Sequence, residues 1–277
     1  GAKLFWMRND LNKRHFIRNL SSALASWNIN QMWTLTYQFN YSPSIPGLAS
    51  LTDYPQQTSL YMISNGNPDL KVSDAFYNGM TLNFKKGIWT AGAMFSINHI
   101  DKPTFSDVTY EGDGKFLSNS QNFKSQQNLM GRLSFGFNGL AKMFGANLNL
   151  YYESYKAKGN SWEHRLNSVN GSINLWWNKG PFTISYWRKF PGKSLWGTSI
   201  SKDENGDALD FQYSPNKHWT LDIGWYYMFS KKGTQYPSWD YSASNPGYRF
   251  RYIKNNANMI CLSFTYQADF GSIFSTA

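Results

Sequence analysis

Met32-Trp33-Thr34-Leu35-Thr36-Tyr37-Gln38-Phe39-Asn40-Tyr41-Ser42 decides how the chain is read. Trp33, Leu35, Tyr37, Phe39 and Tyr41 fall on one side of an extended backbone; Thr34, Thr36, Gln38, Asn40 and Ser42 fall on the other. Successive side chains of a strand point to opposite faces, so this period of two predicts a strand with one apolar and one polar face. The pattern recurs along the chain. Trp89, Ala91, Ala93, Phe95 and Ile97 alternate with Thr90, Gly92, Met94, Ser96 and Asn98. Leu129, Leu133, Phe135 and Phe137 oppose Asn128, Arg132, Ser134 and Asn138, and Ala146, Leu148, Leu150 and Tyr152 oppose Asn147, Asn149, Tyr151 and Glu153. Trp219 to Phe229 and Ile260 to Phe270 repeat it near the C-terminus.

The length of the runs and the order of the connections narrow the sheet type. The runs extend over about 9–12 residues, against about 5–6 for strands of soluble sheets, and a tilted membrane-spanning strand needs about 9–11. Short turns are predicted at Asn28–Gln31, Lys85–Gly87, Gly139–Phe144, Asn178–Pro181 and Ser214–His218. Between them lie longer segments at Pro43–Asp74, Asp101–Gln121, Lys158–Glu163, Pro191–Asp207 and Lys231–Asn258. Short turns on one rim and long loops on the other are the transmembrane β-barrel pattern.

Composition agrees once it is divided between two faces. Twenty Phe, eighteen Tyr and twelve Trp make 18% of the 277 residues, while charged residues are only 16% and the mean hydropathy is −0.53. No stretch reaches the roughly 18–20 consecutive apolar residues of a transmembrane helix, and the aromatic content excludes disorder. The single cysteine, Cys261, excludes an internal disulfide framework and a cysteine-based zinc site. The net charge of +10 is dispersed, with nothing longer than pairs such as Lys85-Lys86, and reads as loop and lumen charge rather than a nucleic-acid surface. Gly1-Ala2-Lys3-Leu4-Phe5-Trp6 lacks a signal-peptide pattern, so the chain is expected to begin after processing or within something longer.

In lipid every backbone donor and acceptor must be paired within the protein, which leaves closed barrels as the strand solution. The fold class is therefore all-β, a transmembrane antiparallel β-barrel, with residues 1–277 forming one barrel region. About eleven strands follow residue 16, and Lys3–Met7 supplies a short twelfth. Trp27, Trp33, Trp177 and Phe182 flank short turns, as rings of an interfacial girdle do. Two other architectures stay open at this point: a soluble aromatic-rich sandwich or propeller, and a self-contained 12-stranded barrel.

Tyr41-Ser42-Pro43-Ser44-Ile45-Pro46-Gly47-Leu48-Ala49-Ser50-Leu51 ends a strand and opens a long loop, and Gly66-Asn67-Pro68-Asp69-Leu70-Lys71 closes that loop before the next strand. Together these segments resemble the C-terminal barrel half of TonB-dependent outer-membrane receptors of the Bacteroidetes-type outer membrane β-barrel group. Val72 departs from that group's signature, which has proline there. The final run, Leu262 to Gly271, resembles the family's terminal strand, and Phe264, Tyr266 and Phe270 match its barrel-assembly signal. The resemblance covers about residues 16–271. It implies part of a 22-stranded barrel, with the plug domain outside this chain and the C-terminus on the periplasmic side of the bacterial outer membrane. It also implies nutrient uptake with a plug and the TonB system as partners. The alternative is a barrel with an adhesion, secretion-component or structural role.

No catalytic set can be nominated, and the chain is expected not to be an enzyme. His15, His99, His164 and His218 have no partners at metal-like spacing, and Asp203-Glu204-Asn205-Gly206-Asp207 fails the calcium-loop pattern. Neither metal nor cofactor is expected. Loop aromatics Tyr54, Tyr61, Trp162, Trp196 and Trp239 are candidate contacts for a small-molecule, glycan or peptide ligand, or for a surface lipoprotein, because rings bury large area at small entropic cost. The plainer reading is loop packing. On the polar face, Arg132, Glu153, Asp210 and Asp222 are candidate lumen or plug contacts; solvation by lumen water is the plainer reading there.

Overall fold

A computed structural model describes residues 3–9, 14–139, 143–229, 234–241, 246–254 and 257–268. In chain order the strands are β1 (Lys3–Asn9), β2 (Arg14–Asn28), β3 (Trp33–Ser44), β4 (Gln56–Ser59), β5 (Met62–Asn65), β6 (Ser73–Lys86), β7 (Trp89–Asp101), β8 (Thr104–Gly112), β9 (Lys115–Asn122) and β10 (Ser125–Gly139). They continue as β11 (Phe144–Lys158), β12 (Glu163–Lys179), β13 (Phe182–Phe190), β14 (Lys193–Trp196), β15 (Ser199–Lys202), β16 (Gly206–Asn216), β17 (Trp219–Tyr226), β18 (Thr234–Asp240), β19 (Gly247–Ile253) and β20 (Met259–Tyr266). One short helix, α1, spans Leu48–Leu51.

Twelve strands form one antiparallel meander, in the order β1-β2-β3-β6-β7-β10-β11-β12-β13-β16-β17-β20. The short turns fall where the sequence places them, all on one rim. The opposite rim carries the long connections, with one correction: the β11–β12 connection on that rim is only residues 159–162. The strand read over Trp219–Phe229 also stops early, because Tyr227 turns into the left-handed region at φ 55°. Among the described residues β1 pairs only with β2 and β20 only with β17, so no ladder joins the two ends into a 12-stranded cylinder.

Register shows how completely the two faces separate. Leu35, Leu82, Ala93, Leu133 and Leu150 lie side by side across five strands, and Tyr37, Met80, Phe95, Gly131, Tyr152 and Val169 form the adjacent row. This outer face stays bare: Leu133 is 48% exposed and Val169 71%. Five outward residues from Trp89 to Ile97 span about 26 Å along the strand at ~3.3 Å per residue, or ~20 Å of bilayer at a tilt near 40°. Nearest the loops the apolar band gives way to the row Tyr41, Phe76, His99, Gln127, Lys156 and Arg165. At the other rim aromatic rings pair along the turns: Trp33 with Phe84 at 4.8 Å, Trp89 with Phe137 at 4.7 Å, Phe182 with Tyr213 at 4.9 Å and Trp219 with Tyr266 at 5.6 Å. Such rings suit the boundary between hydrocarbon and headgroups.

The accessible surface is 18413 Å², against about 12,000 Å² for a compact soluble protein of this mass. That excess fits a single curved layer and rules out a sandwich, in which one sheet would cover the other. The few fully buried apolar side chains lie on the loop side instead. Leu51, Leu70 and Val72 are buried where α1 meets the Gly66–Lys71 segment. A Cβ on Gly66 would run into the Thr52 carbonyl oxygen and lie 2.9 Å from those of Ala49 and Ser50, while the Asn67 amide donates to the Ser50 carbonyl at 2.7 Å. The glycine of this loop motif is therefore a packing requirement. A second core joins Phe123, Ala157 and Leu195, with Tyr155 and Leu166 against them.

Candidate functional site at the lumen mouth

The long loops are not irregular. Their strands pair into two further sheets, β4-β5-β9-β8 and β14-β15-β18-β19, each built from two different connections. In the first, β5 runs parallel to β9. In the second, β15 pairs with β18 across about 40 residues of sequence.

The β14–β15 hairpin folds onto the inner face of the wall. Gln126, Asn128, Tyr155, Ala157 and Leu166 lie on that face by register, and Leu195 is buried against Ala157. Gln126 is 4% exposed; its Nε2 donates to the Leu195 carbonyl at 3.0 Å and its Oε1 accepts from the Gly197 amide at 3.2 Å. The Ser168 hydroxyl accepts from the Lys193 amide at 2.7 Å. The backbone groups of a buried hairpin need such partners, and the amide-rich inner face supplies them.

The five loop aromatics separate into three places. Trp162 and Trp196 both contact Phe123, at ring distances of 5.7 and 6.1 Å, and Trp162 stacks on His164 at 5.2 Å. Trp239 packs on Tyr248 at 5.7 Å and lies under Lys193 Nζ at 5.4 Å. Tyr54 and Tyr61 belong to the other loop region and are 67% and 63% exposed. The structure thus joins Trp162 to Trp196 and leaves the other three apart.

All four polar-face candidates lie on the inner surface. Arg132 donates from Nη2 to Asn149 Oδ1 at 3.0 Å and sits over the Tyr151 ring at 5.5 Å, while its buried Nε has no partner. Glu153 accepts from Asn170 Nδ2 at 2.9 Å. Asp210 is opposite Ser185 and Gly224, and Asp222 is opposite Gln212 and Ser263. Phe264 and Tyr266 stand exposed on the outer face of β20; Phe270 lies outside the described residues. Among the described residues no three His, Cys, Asp or Glu side chains could hold a metal.

Sequence reasoning missed a cavity of about 450 Å³ lined by Lys189, Lys202, Arg249, Arg251, Asp203, Glu204 and Tyr236. Lys189 lies on the inner face of β13, one residue from its loop-side end, and the rest of the lining comes from the loop strands and their connections, which puts this cavity at the lumen mouth. Asp203 pairs with Lys189 at 2.8 Å, and the Tyr236 hydroxyl donates to Glu204. Burial pushes the nearby Tyr227 hydroxyl above its ordinary range, and the Glu204 charge adds to the rise. A signal for this site was present: Tyr248, Phe250 and Tyr252 alternate with Arg249 and Arg251 inside a segment read only as loop.

Residues 6–232 match the family model described as outer membrane protein beta-barrel family. The chain belongs to that family. It is an outer-membrane β-barrel, and the sheet register now has its lipid and lumen faces assigned. The barrel is also similar to a solved ferric enterobactin receptor (PfeA) in complex with BCV-L6, with TM-score 0.62 and 16% identity over 84% of this chain and 38% of that one. A mutant of that receptor from Pseudomonas aeruginosa, in complex with enterobactin, matches with TM-score 0.62 and 16% identity over 83% and 37%. The likeness establishes a receptor-type barrel fold, and the chain spans little more than a third of the receptors it matches. No curated protein matches the chain.

Proposed function

We propose that this chain is the C-terminal wall of a 22-stranded TonB-dependent receptor, which takes a nutrient from outside the cell and passes it inward. The observation that carries the reading is the inward-folded β14–β15 hairpin, held by Gln126 on the polar face of a receptor-type barrel. A hairpin packed inside the mouth narrows the entrance and presents loop residues to a solute arriving from the long-loop side. Among the described residues β1 and β20 each leave one edge unjoined, which supports a wall completed by further strands.

In this reading the wall is static and no bond is made or broken by its residues. The long-loop rim faces outside, the short turns and the C-terminus face the periplasm, and Arg132, Glu153, Asp210 and Asp222 contact a plug. Force from the TonB system displaces that plug. The test is growth or labelled-solute uptake by cells carrying the intact receptor, with and without a working TonB system. Uptake that requires both supports the reading; receptor-dependent adhesion or secretion that is indifferent to TonB overturns it.

A further inference from the structure

Four cations surround the cavity at the lumen mouth, from three different strands: Lys189 on β13, Lys202 on β15, and Arg249 and Arg251 on β19. Two carboxylates share the cavity, and both are engaged. Asp203 pairs with Lys189, and Glu204 accepts the Tyr236 hydroxyl. Lys202, Arg249 and Arg251 make no ion pair among the described residues. All three side chains are solvent-exposed, so what sets them apart is where they point, not burial. Here they converge on a concave space of a size that suits a small ligand.

The geometry of β19 sharpens the point. Arg249 and Arg251 are two residues apart on one face, so their Cα atoms are separated by about 6.6 Å. Each guanidinium offers a planar fork that matches a carboxylate or phosphate in two parallel hydrogen bonds. Opposite Arg249 on β18 stands Ser238, which adds a hydroxyl to the same face; Tyr236, opposite Arg251, is engaged with Glu204. Two forks at this spacing, with a lysine beside them, suit a solute with more than one anionic group.

We propose that this cavity is an anion site, which takes a small solute carrying two or more carboxylate or phosphate groups as it reaches the lumen. The proposal deepens the uptake reading and rests on it for biological use, but the binding itself is separate. Uptake is measured in cells with and without TonB, whereas binding is measured on the purified receptor. Each can therefore fail alone.

The test uses the intact receptor in detergent, titrated calorimetrically with citrate, with pyrophosphate and with maltose as a neutral control. Saturable binding of citrate or pyrophosphate, weakened by added salt, is expected; which of the two binds tells carboxylate from phosphate. The Arg249→Gln/Arg251→Gln variant is expected to bind at least about tenfold more weakly. Asp203→Asn removes a negative charge and is expected to bind the same anion more tightly, which keeps the test decisive if the double variant fails to assemble. Absence of saturable anion binding by the unaltered receptor overturns the proposal. So does equal affinity in the arginine variant, or weaker binding in Asp203→Asn.

Discussion

Gln126 on β10 and Leu195 on the inward hairpin are joined by a buried hydrogen bond of 3.0 Å, and the same amide accepts from Gly197 at 3.2 Å. One side chain of the wall thus holds both β14 and the turn that follows it. Gln126→Ala leaves a buried carbonyl and a buried amide without partners, at about 1–3 kcal/mol each. The expected outcome is faster hydrogen exchange at residues 193–202, with the exchange of β10 and β11 unchanged.

Lipid and lumen faces differ by one step along a strand. Leu133 faces outward among Ala93 and Leu150, while Ser134 faces inward beside Gly92 and Asn149. Leu133→Lys places a charge near the middle of the apolar band and is expected to cost about 2–4 kcal/mol. Ser134→Lys meets lumen water and is expected to cost much less. Denaturant unfolding from lipid vesicles compares the two.

The Gly66 position tolerates no side chain, because three carbonyl oxygens of residues 49–52 converge on it. Gly66→Ala is expected to destabilise the α1 region by about 1–3 kcal/mol, as overpacking does. Limited proteolysis between residues 45 and 72 reads this directly, and the wall strands are expected to stay protected.

At the long-loop rim Glu163 accepts from Arg165 Nε at 2.8 Å and lies 3.5 Å from Lys156 Nζ. The Arg165 hydrogen bond, then the Lys156 charge, holds the Glu163 carboxyl below the ordinary range. Its folded value is lower than its unfolded one, so the pairing stabilises above the ordinary carboxylate range and is lost as pH falls through the folded value. Arg165→Ala is expected to raise that titration midpoint, measured by NMR on carbon-labelled glutamate.

The wall was legible in the sequence because many of its strands carry their own signal. Trp33 to Tyr41 alternates whatever its neighbours do, and lipid on one side with water on the other forces that alternation. The loop sheets were not legible. Pairing of Met62–Asn65 with Phe116–Asn119 joins two separate connections, and nothing within either segment encodes its partner. Tyr227 ended β17 early through a backbone turn that its apolar pattern conceals. The cationic cavity combines residues from positions 189 to 251, each unremarkable alone, and only the Arg249–Arg251 alternation pointed to it.

Labelling along β10 tests the two-faced wall most directly. Single cysteines are placed at each position from 129 to 138 of the intact protein in outer-membrane vesicles, in a Cys261→Ser background. The expected result is a period of two: positions 129, 131, 133, 135 and 137 are quenched by spin-labelled lipid, and the alternate positions react with a water-soluble thiol reagent. Uniform reactivity with the aqueous reagent, or lipid quenching at the even positions, contradicts a membrane wall with these two faces.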